Sequence, residues 1–120
     1  VKGVLEVGQL FEAEFKKAGF ETKWIDMPAE MKRAGHLFVE KKGTKGKRLL
    51  LIGHLDTVYE PDSPFQTWVD QDSVALAPGA NDMKGGDVII LYALKALQEA
   101  GVLKDAQFIV ALHGDEENGG

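Results

Sequence analysis

Three short polar segments constrain this chain more than anything else in it: Gly53-His54-Leu55-Asp56-Thr57, Gly79-Ala80-Asn81-Asp82-Met83-Lys84-Gly85-Gly86 and His113-Gly114-Asp115-Glu116-Glu117-Asn118-Gly119. Each follows an apolar or extended run, so each stands where a strand would end. Polar motifs at successive strand ends, next to helix starts, are the layout of an open α/β sheet, which places ligands beyond the carboxyl ends of its strands. Imidazole nitrogen and carboxylate oxygen are the ligands a borderline cation such as zinc takes when no thiolate is offered. The chain has no cysteine, so any transition-metal site must be built from these three segments.

The rest of the pattern supplies the scaffold. Val4, Val7, Leu10, Phe11 and Phe15 recur at helical spacing and Gly19 stands where a C-terminal cap belongs, which predicts an amphipathic helix to about Ala18. Phe20, Thr22 and Trp24 alternate with polar neighbours, as a half-buried strand does, and a second strand is expected around His36 to Glu40. Arg48 to Gly53 reads as a strand covered on both faces and delivers His54. Residues Tyr59 to Pro78 hold three prolines, which predicts a long loop with one short strand near Trp68. A helix is expected from Gly85 to Ala100, closed by Gly101, and a buried strand from Gln107 to Leu112 carries the third segment.

With 120 residues, 44% of them hydrophobic, the chain can bury one modest core, so one domain is expected. A formal net charge of -5 argues against a nucleic-acid partner. The one basic run, Lys41 to Arg48, reads as a solvated hairpin loop. The apolar stretch Val88 to Leu94 is far shorter than the roughly 20 residues of a membrane helix. No membrane partner is expected. No signal peptide is visible and a cytoplasmic location is the expectation, although a start at Val1 leaves room for a removed N-terminus.

Each motif has a plainer reading. His54 alone would be a satisfied, half-buried histidine. Asp56 changes that, because on a continuing strand both side chains share one face and the carboxylate can orient a metal-bound imidazole. Asp82 could be a helix N-cap. Glu116 and Glu117 could be a solvated pair. On extended backbone they would point to opposite sides, one towards a metal and one towards another part of the same site, which suits a metal ligand beside a general base. His113 belongs to the strand end, and His36 is expected to pair locally on its strand. Lys84-Gly85-Gly86 lacks the Gly-Lys-Ser/Thr order of a phosphate loop, so nucleotide binding is not expected.

Leu49-Leu50-Leu51-Ile52-Gly53-His54-Leu55-Asp56-Thr57-Val58, then Gly79 to Gly86, then Gly114-Asp115-Glu116-Glu117-Asn118-Gly119, in this order and spacing, resemble the catalytic domain of the dizinc exopeptidase and deacylase family, which includes glutamate carboxypeptidase, aminoacylase, acetylornithine deacetylase and succinyl-diaminopimelate desuccinylase. The likeness runs from about Phe20 to the last residue. It implies an open, largely parallel mixed sheet flanked by helices. It further implies that His54 binds one zinc, Asp82 bridges two zincs and Glu117 binds the second, with Glu116 the general base and Asp56 holding the imidazole of His54. Two zincs per complete site follow, with cobalt able to substitute, and a cis peptide bond at Asp82–Met83. The residue types agree with these roles, but they do not say which of the paired glutamates is the base.

The family continues well beyond 120 residues, with further metal ligands and a lid or dimerisation domain. The chain therefore reads as the N-terminal portion of a metallopeptidase catalytic domain, inactive by itself, from a parent that could be a homodimer. The activity expected of that parent is hydrolysis of an amide bond next to a free carboxylate, in a small peptide or an N-acyl amino acid. A non-catalytic binding module on the same fold is the alternative, and the intact Glu116-Glu117 pair argues against it. A calcium domain is a third reading, but the chain lacks the Asp-x-Asp-x-Asp-Gly loop.

Overall fold

The computed structural model of the chain describes residues 1–119, and Gly120, the last residue of the expected domain, lies outside the described residues. Helix α1 spans Lys2–Lys17 and buries Phe11 and Phe15 from its apolar stripe. It ends as its sequence requires. Gly19 takes φ 87°, its N–H donates to the Lys16 carbonyl at 2.9 Å, and the Phe20 N–H donates to the Phe15 carbonyl at 3.1 Å. This left-handed stop brings the Phe15 and Phe20 rings edge to face at 6.3 Å, the apolar contact that accompanies such caps.

Four strands form the main sheet: β1 (Glu21–Ile25), β2 (His36–Lys41), β3 (Leu49–His54) and β6 (Phe108–His113), in the order β1-β2-β6-β3. Between β3 and β6 in sequence lie the hairpin β4 (Val69–Gln71) and β5 (Val74–Leu76), which pair with each other, and helix α2 (Gly85–Glu99). β3 pairs β6 in parallel, with α2 inside the crossover, while β1–β2 and β2–β6 are antiparallel. The open mixed α/β sheet is thus present. Its parallel part among the described residues is one pairing, because a parallel step needs a crossover element and α2 is the helix that supplies one.

Both helices contribute to one core. Phe11 and Phe15 of α1, Leu91 and Leu94 of α2, Leu37 and Val39 of β2, and Phe108, Val110 and Leu112 of β6 form a single buried cluster. The register pairs Leu37 with Leu112 and Val39 with Val110, so the alternate residues of both strands meet the helices on one face. Among the described residues, both helices flanking the sheet therefore pack on one face. β3 is not buried on both sides as its apolar run suggested: Leu50 and Ile52, on the face away from the helices, are 61% and 60% exposed, and Leu49, at the strand start on the other face, is 60% exposed. It is the terminal strand of the described sheet, with β6 as its one neighbour and α2 against it.

Two loops also differ from expectation. The basic segment 42–48 is no hairpin, because β6 lies between β2 and β3; it crosses the sheet end, where the N–H groups of Thr44 and Lys45 donate to the Asp105 carbonyl at 3.1 and 3.0 Å. The strand foreseen near Trp68 has a partner, turned by Asp72 at φ 55°, a conformation short polar side chains tolerate. Among the described residues no helix is long and apolar enough to cross a membrane.

Phe15 is fully buried and links the helix cap to the sheet through Phe20, whose ring meets Phe108 edge to face at 5.5 Å. Phe15→Ala should destabilise the fold by about 3–5 kcal/mol. Urea unfolding would check this, and a loss under about 1 kcal/mol would place Phe15 outside the cooperative core.

Candidate metal centre

The three polar segments meet because β3 and β6 are parallel neighbours whose last residues, His54 and His113, lie side by side in the register. The first and third segments leave the same edge of the sheet. The Leu55 N–H then donates to the His113 carbonyl at 2.7 Å, which carries the pairing one step past the strand end. The second segment arrives through α2. A wide turn, Ala80–Lys84, precedes the helix, with Asp82 in extended geometry and a cis peptide bond at Asp82–Met83. Gly53 lets α2 approach: a β-carbon there would overlap the Asp87 carboxylate of the first helical turn.

His54 is 5% exposed and its ring lies between two carboxylates. Its Nε2 is 3.1 Å from Asp82 Oδ1, and its Nδ1 is 3.3 Å from Asp56 Oδ1. The second contact is close enough for an ion pair but is not aligned as a hydrogen bond, so Nδ1 is buried without a hydrogen-bond partner among the described residues. Asp56 has other work: its Oδ1 accepts from the Glu116 N–H at 3.2 Å and its Oδ2 from the Glu117 N–H at 3.0 Å. His54, Glu116 and Glu117 each offer a ligand atom, and these lie within 4.8 Å of one another. Two ligands on one tetrahedral ion at about 2.1 Å sit roughly 3.4 Å apart, so the His54–Asp82 spacing of 3.1 Å fits a shared cation.

Two sequence expectations change here, and the plainer reading of Asp82 is set aside. Asp82 is not a helix N-cap; α2 starts without a side-chain cap, and the Asp82 carboxylate turns to His54 instead. Asp56 lies beyond the end of β3, so it reaches His54 from a loop and not from a shared strand face. Glu116 and Glu117 are not on extended backbone: Glu116–Asn118 is a 3-10 turn, curled because both N–H groups point at the Asp56 carboxylate. Both glutamates therefore reach towards His54 instead of dividing to opposite sides.

Charge shapes the site. Burial alone would lower the pKa of His54, but the hydrogen bond to Asp82 and the charges of Asp56, Glu116 and Asp82 outweigh it and raise the pKa above its ordinary value. Lys84 is shifted down by burial, against the pull of Asp87 and Asp56. Asp87 was not singled out from the sequence. It is fully buried, neither carboxylate oxygen has a hydrogen-bond partner among the described residues, and burial pushes its pKa up to about 7 despite His54 and Lys84. An acidic residue in the apolar first turn of a helix that follows two glycines was the available signal.

Histidine and carboxylates gathered at the carboxyl end of parallel strands, beneath a glycine-rich helix start, are the donor set of a candidate metal site on an α/β sheet. Residues 50–120 match the sequence profile of "Peptidase family M20/M25/M40". Carboxypeptidase G2 from Pseudomonas sp. (strain RS-16) is 37% identical over 122 residues, covering 98% of this chain and 28% of that protein. In three dimensions the chain is similar to an M20 family metallo-carboxypeptidase, Sso-CP2, from Sulfolobus solfataricus, with a TM-score of 0.78 at 23% identity over 98% of this chain and 27% of that one. It is also similar to human carnosine dipeptidase 1, with a TM-score of 0.70 at 18% identity over 96% of this chain and 27% of that one. At these identities the solved structures establish the fold. The chain belongs to peptidase family M20/M25/M40, a metal-dependent family, and spans just over a quarter of the length of the relatives quoted.

The state of Asp87 has a measurable consequence. A carboxyl that keeps its proton to about 7 when folded, but loses it near 3.8 when unfolded, makes stability fall as pH rises between those values, by up to about 4 kcal/mol. Asp87→Asn cannot ionise and should abolish that decline. Melting temperatures of both forms between pH 4 and 8 would check it, the variant gaining on the native protein as pH rises. Parallel curves would mean that Asp87 ionises freely in the fold.

Proposed function

We propose that the whole protein carrying this chain is a zinc-dependent amidohydrolase that cleaves an amide bond next to a free carboxylate, in a small peptide or an N-acyl amino acid. The observation that carries this reading is the buried His54, 3.1 Å from Asp82 through Nε2 and 3.3 Å from Asp56 at Nδ1, with Glu116 and Glu117 each offering a ligand atom within 4.8 Å of one of its ring nitrogens. The relation to carboxypeptidase G2 supports the substrate class.

His54 and Asp82 would hold one zinc, and Asp82 and Glu117 the other. A histidine ligand favours zinc over calcium, which takes oxygen donors. When bound, the metals supply Lewis-acid polarisation of the scissile carbonyl and make water acidic enough to ionise near neutral pH. The protein supplies the rest. Metal at His54 Nε2 requires the ring proton on Nδ1, the nitrogen 3.3 Å from Asp56 Oδ1, so the charge of this carboxylate would favour that tautomer. Glu116 is the general base: it takes a proton from the attacking water and returns it to the leaving amine. Its side chain is 59% exposed and its carboxylate lies 4.0 Å from His54 Nε2, beside the ligand without touching it. By itself the 120-residue chain offers two protein ligands to each ion, and we expect it to be inactive.

In the whole protein, Glu116→Gln should keep both metals and lose at least about 100-fold in kcat, since it removes the proton acceptor alone. Glu117→Ala should lose one metal. Metal analysis with kinetics on an N-acyl amino acid decides between the two roles. An exchange of these phenotypes would reverse the assignment, and a native protein without zinc or amide hydrolysis would leave a non-catalytic binding module.

A further inference from the structure

The short turn Glu116–Asn118 carries both glutamates of the site, yet it is three residues long and cannot fix its own position. Asp56 holds it from the β3 side through two backbone N–H groups. A second set of contacts grips it from the β2 side. His36, the first residue of β2, is largely buried, and its Nδ1 accepts from the Gly114 N–H at 3.2 Å. Arg33, just upstream, donates from Nη2 to the Asn118 carbonyl at 3.0 Å, and its Nη1 lies 4.0 Å from Asp115 Oδ2. The backbones touch as well: a β-carbon at Gly114 would overlap the Gly35 carbonyl oxygen. His36 therefore does not pair locally on its strand as its sequence context suggested. The partner of its Nδ1 lies 78 residues away.

The chemistry of His36 separates this cluster from the metal centre. His36, His113 and Asp115 have ligand atoms within 4.8 Å of one another, as a cation site would. But Nδ1, by accepting from Gly114, leaves the ring proton on Nε2, which lies 3.0 Å from Met27 Sδ. Both ring nitrogens are spent. The guanidinium beside Asp115 also repels a cation. His113 meets His36 edge to face at 5.0 Å and completes the packing.

We propose that His36 and Arg33 are positioning residues for Glu116 and Glu117, forming with Asp56 a two-sided clamp on the 113–118 segment. A general base and its neighbouring ligand work only when held to within a fraction of an ångström, and side chains that orient them act through that placement. This inference rests on the assignment of Glu116 and Glu117 to the site.

The test uses the whole protein with His36→Leu, His36→Asn and Arg33→Met, reading kcat and KM on an N-acyl amino acid and amide hydrogen exchange in the segment 113–119. His36→Leu and Arg33→Met should each lower kcat about 10- to 100-fold with KM little changed, and should speed exchange at Gly114 to Asn118 while β2 and α1 keep their protection. Asn can present an oxygen to the Gly114 N–H, so His36→Asn should recover most of the rate and the protection. Unchanged kcat, a uniform rise in exchange through β2 and β6, or an Asn variant as impaired as the Leu variant would overturn the clamp. If the native protein hydrolyses no amide, the catalytic assignment fails, while the exchange data still decide whether the clamp exists.

Discussion

The site depends on one buried carboxylate. Asp56 has two oxygens, and each accepts from a backbone N–H of the turn that carries Glu116 and Glu117, while Oδ1 also faces His54 Nδ1 at 3.3 Å. It therefore ties the end of β3 to the segment after β6, and the spacing of histidine and glutamates follows from it. A charged group this well buried is tolerable because its oxygens are filled by donors; charge-assisted bonds to backbone N–H groups are among the stronger ones. Alanine at this position would free the turn and unseat the imidazole together. That double duty explains how a short turn can hold Glu116 and Glu117 beside His54.

Asp82, Glu116 and Glu117 converge near His54 with Asp56 behind them, and these like charges work against the fold wherever they are uncompensated. The raised pKa of His54 is the protein's response: the imidazole keeps its proton longer because carboxylates surround it. A divalent cation would meet the same demand more completely, at the cost of displacing the Nε2 proton. Metal affinity in such a site therefore rises with pH until the imidazole is neutral. The exposed side chains of Asp82 and Glu116, 75% and 59% accessible, would leave an entry path for such an ion, with the buried His54 at its inner end.

Much of this was legible in the chain. Helical periodicity with Gly19 and Gly101 as stops gave α1 and α2 to within two residues, and the apolar runs before His54 and His113 gave β3 and β6. Those signals are local, so no partner is needed to read them. What failed was pairwise information. The loop 42–48 looked like a hairpin because two apolar strands flank it, yet β6, almost seventy residues away from β2 in sequence, fits between them. Extended backbone is what the sequence around the glutamates suggests, since nothing near them announces that Asp56 will curl the chain. His36 carried no signal, because its donor is the N–H of Gly114 across the sheet.

Asp87 shows how close the site sits to the limit of what the scaffold can bear. It packs against Gly53, one residue before His54, with no hydrogen-bond partner among the described residues, and it follows the two glycines that open α2. A leucine there would fit the apolar character of the helix better, so packing alone does not account for a carboxyl group. A group that holds its proton to about 7 in that place contributes little net charge next to a histidine already crowded by carboxylates. It also retains a donor, the carboxyl O–H, that an ionised aspartate would lack. The same burial that makes Asp87 costly when charged thus raises its pKa beside the candidate metal centre, and the close carboxylate contacts of His54 are those of Asp56, Asp82 and Glu116, whose oxygens lie within 4.0 Å of the ring nitrogens.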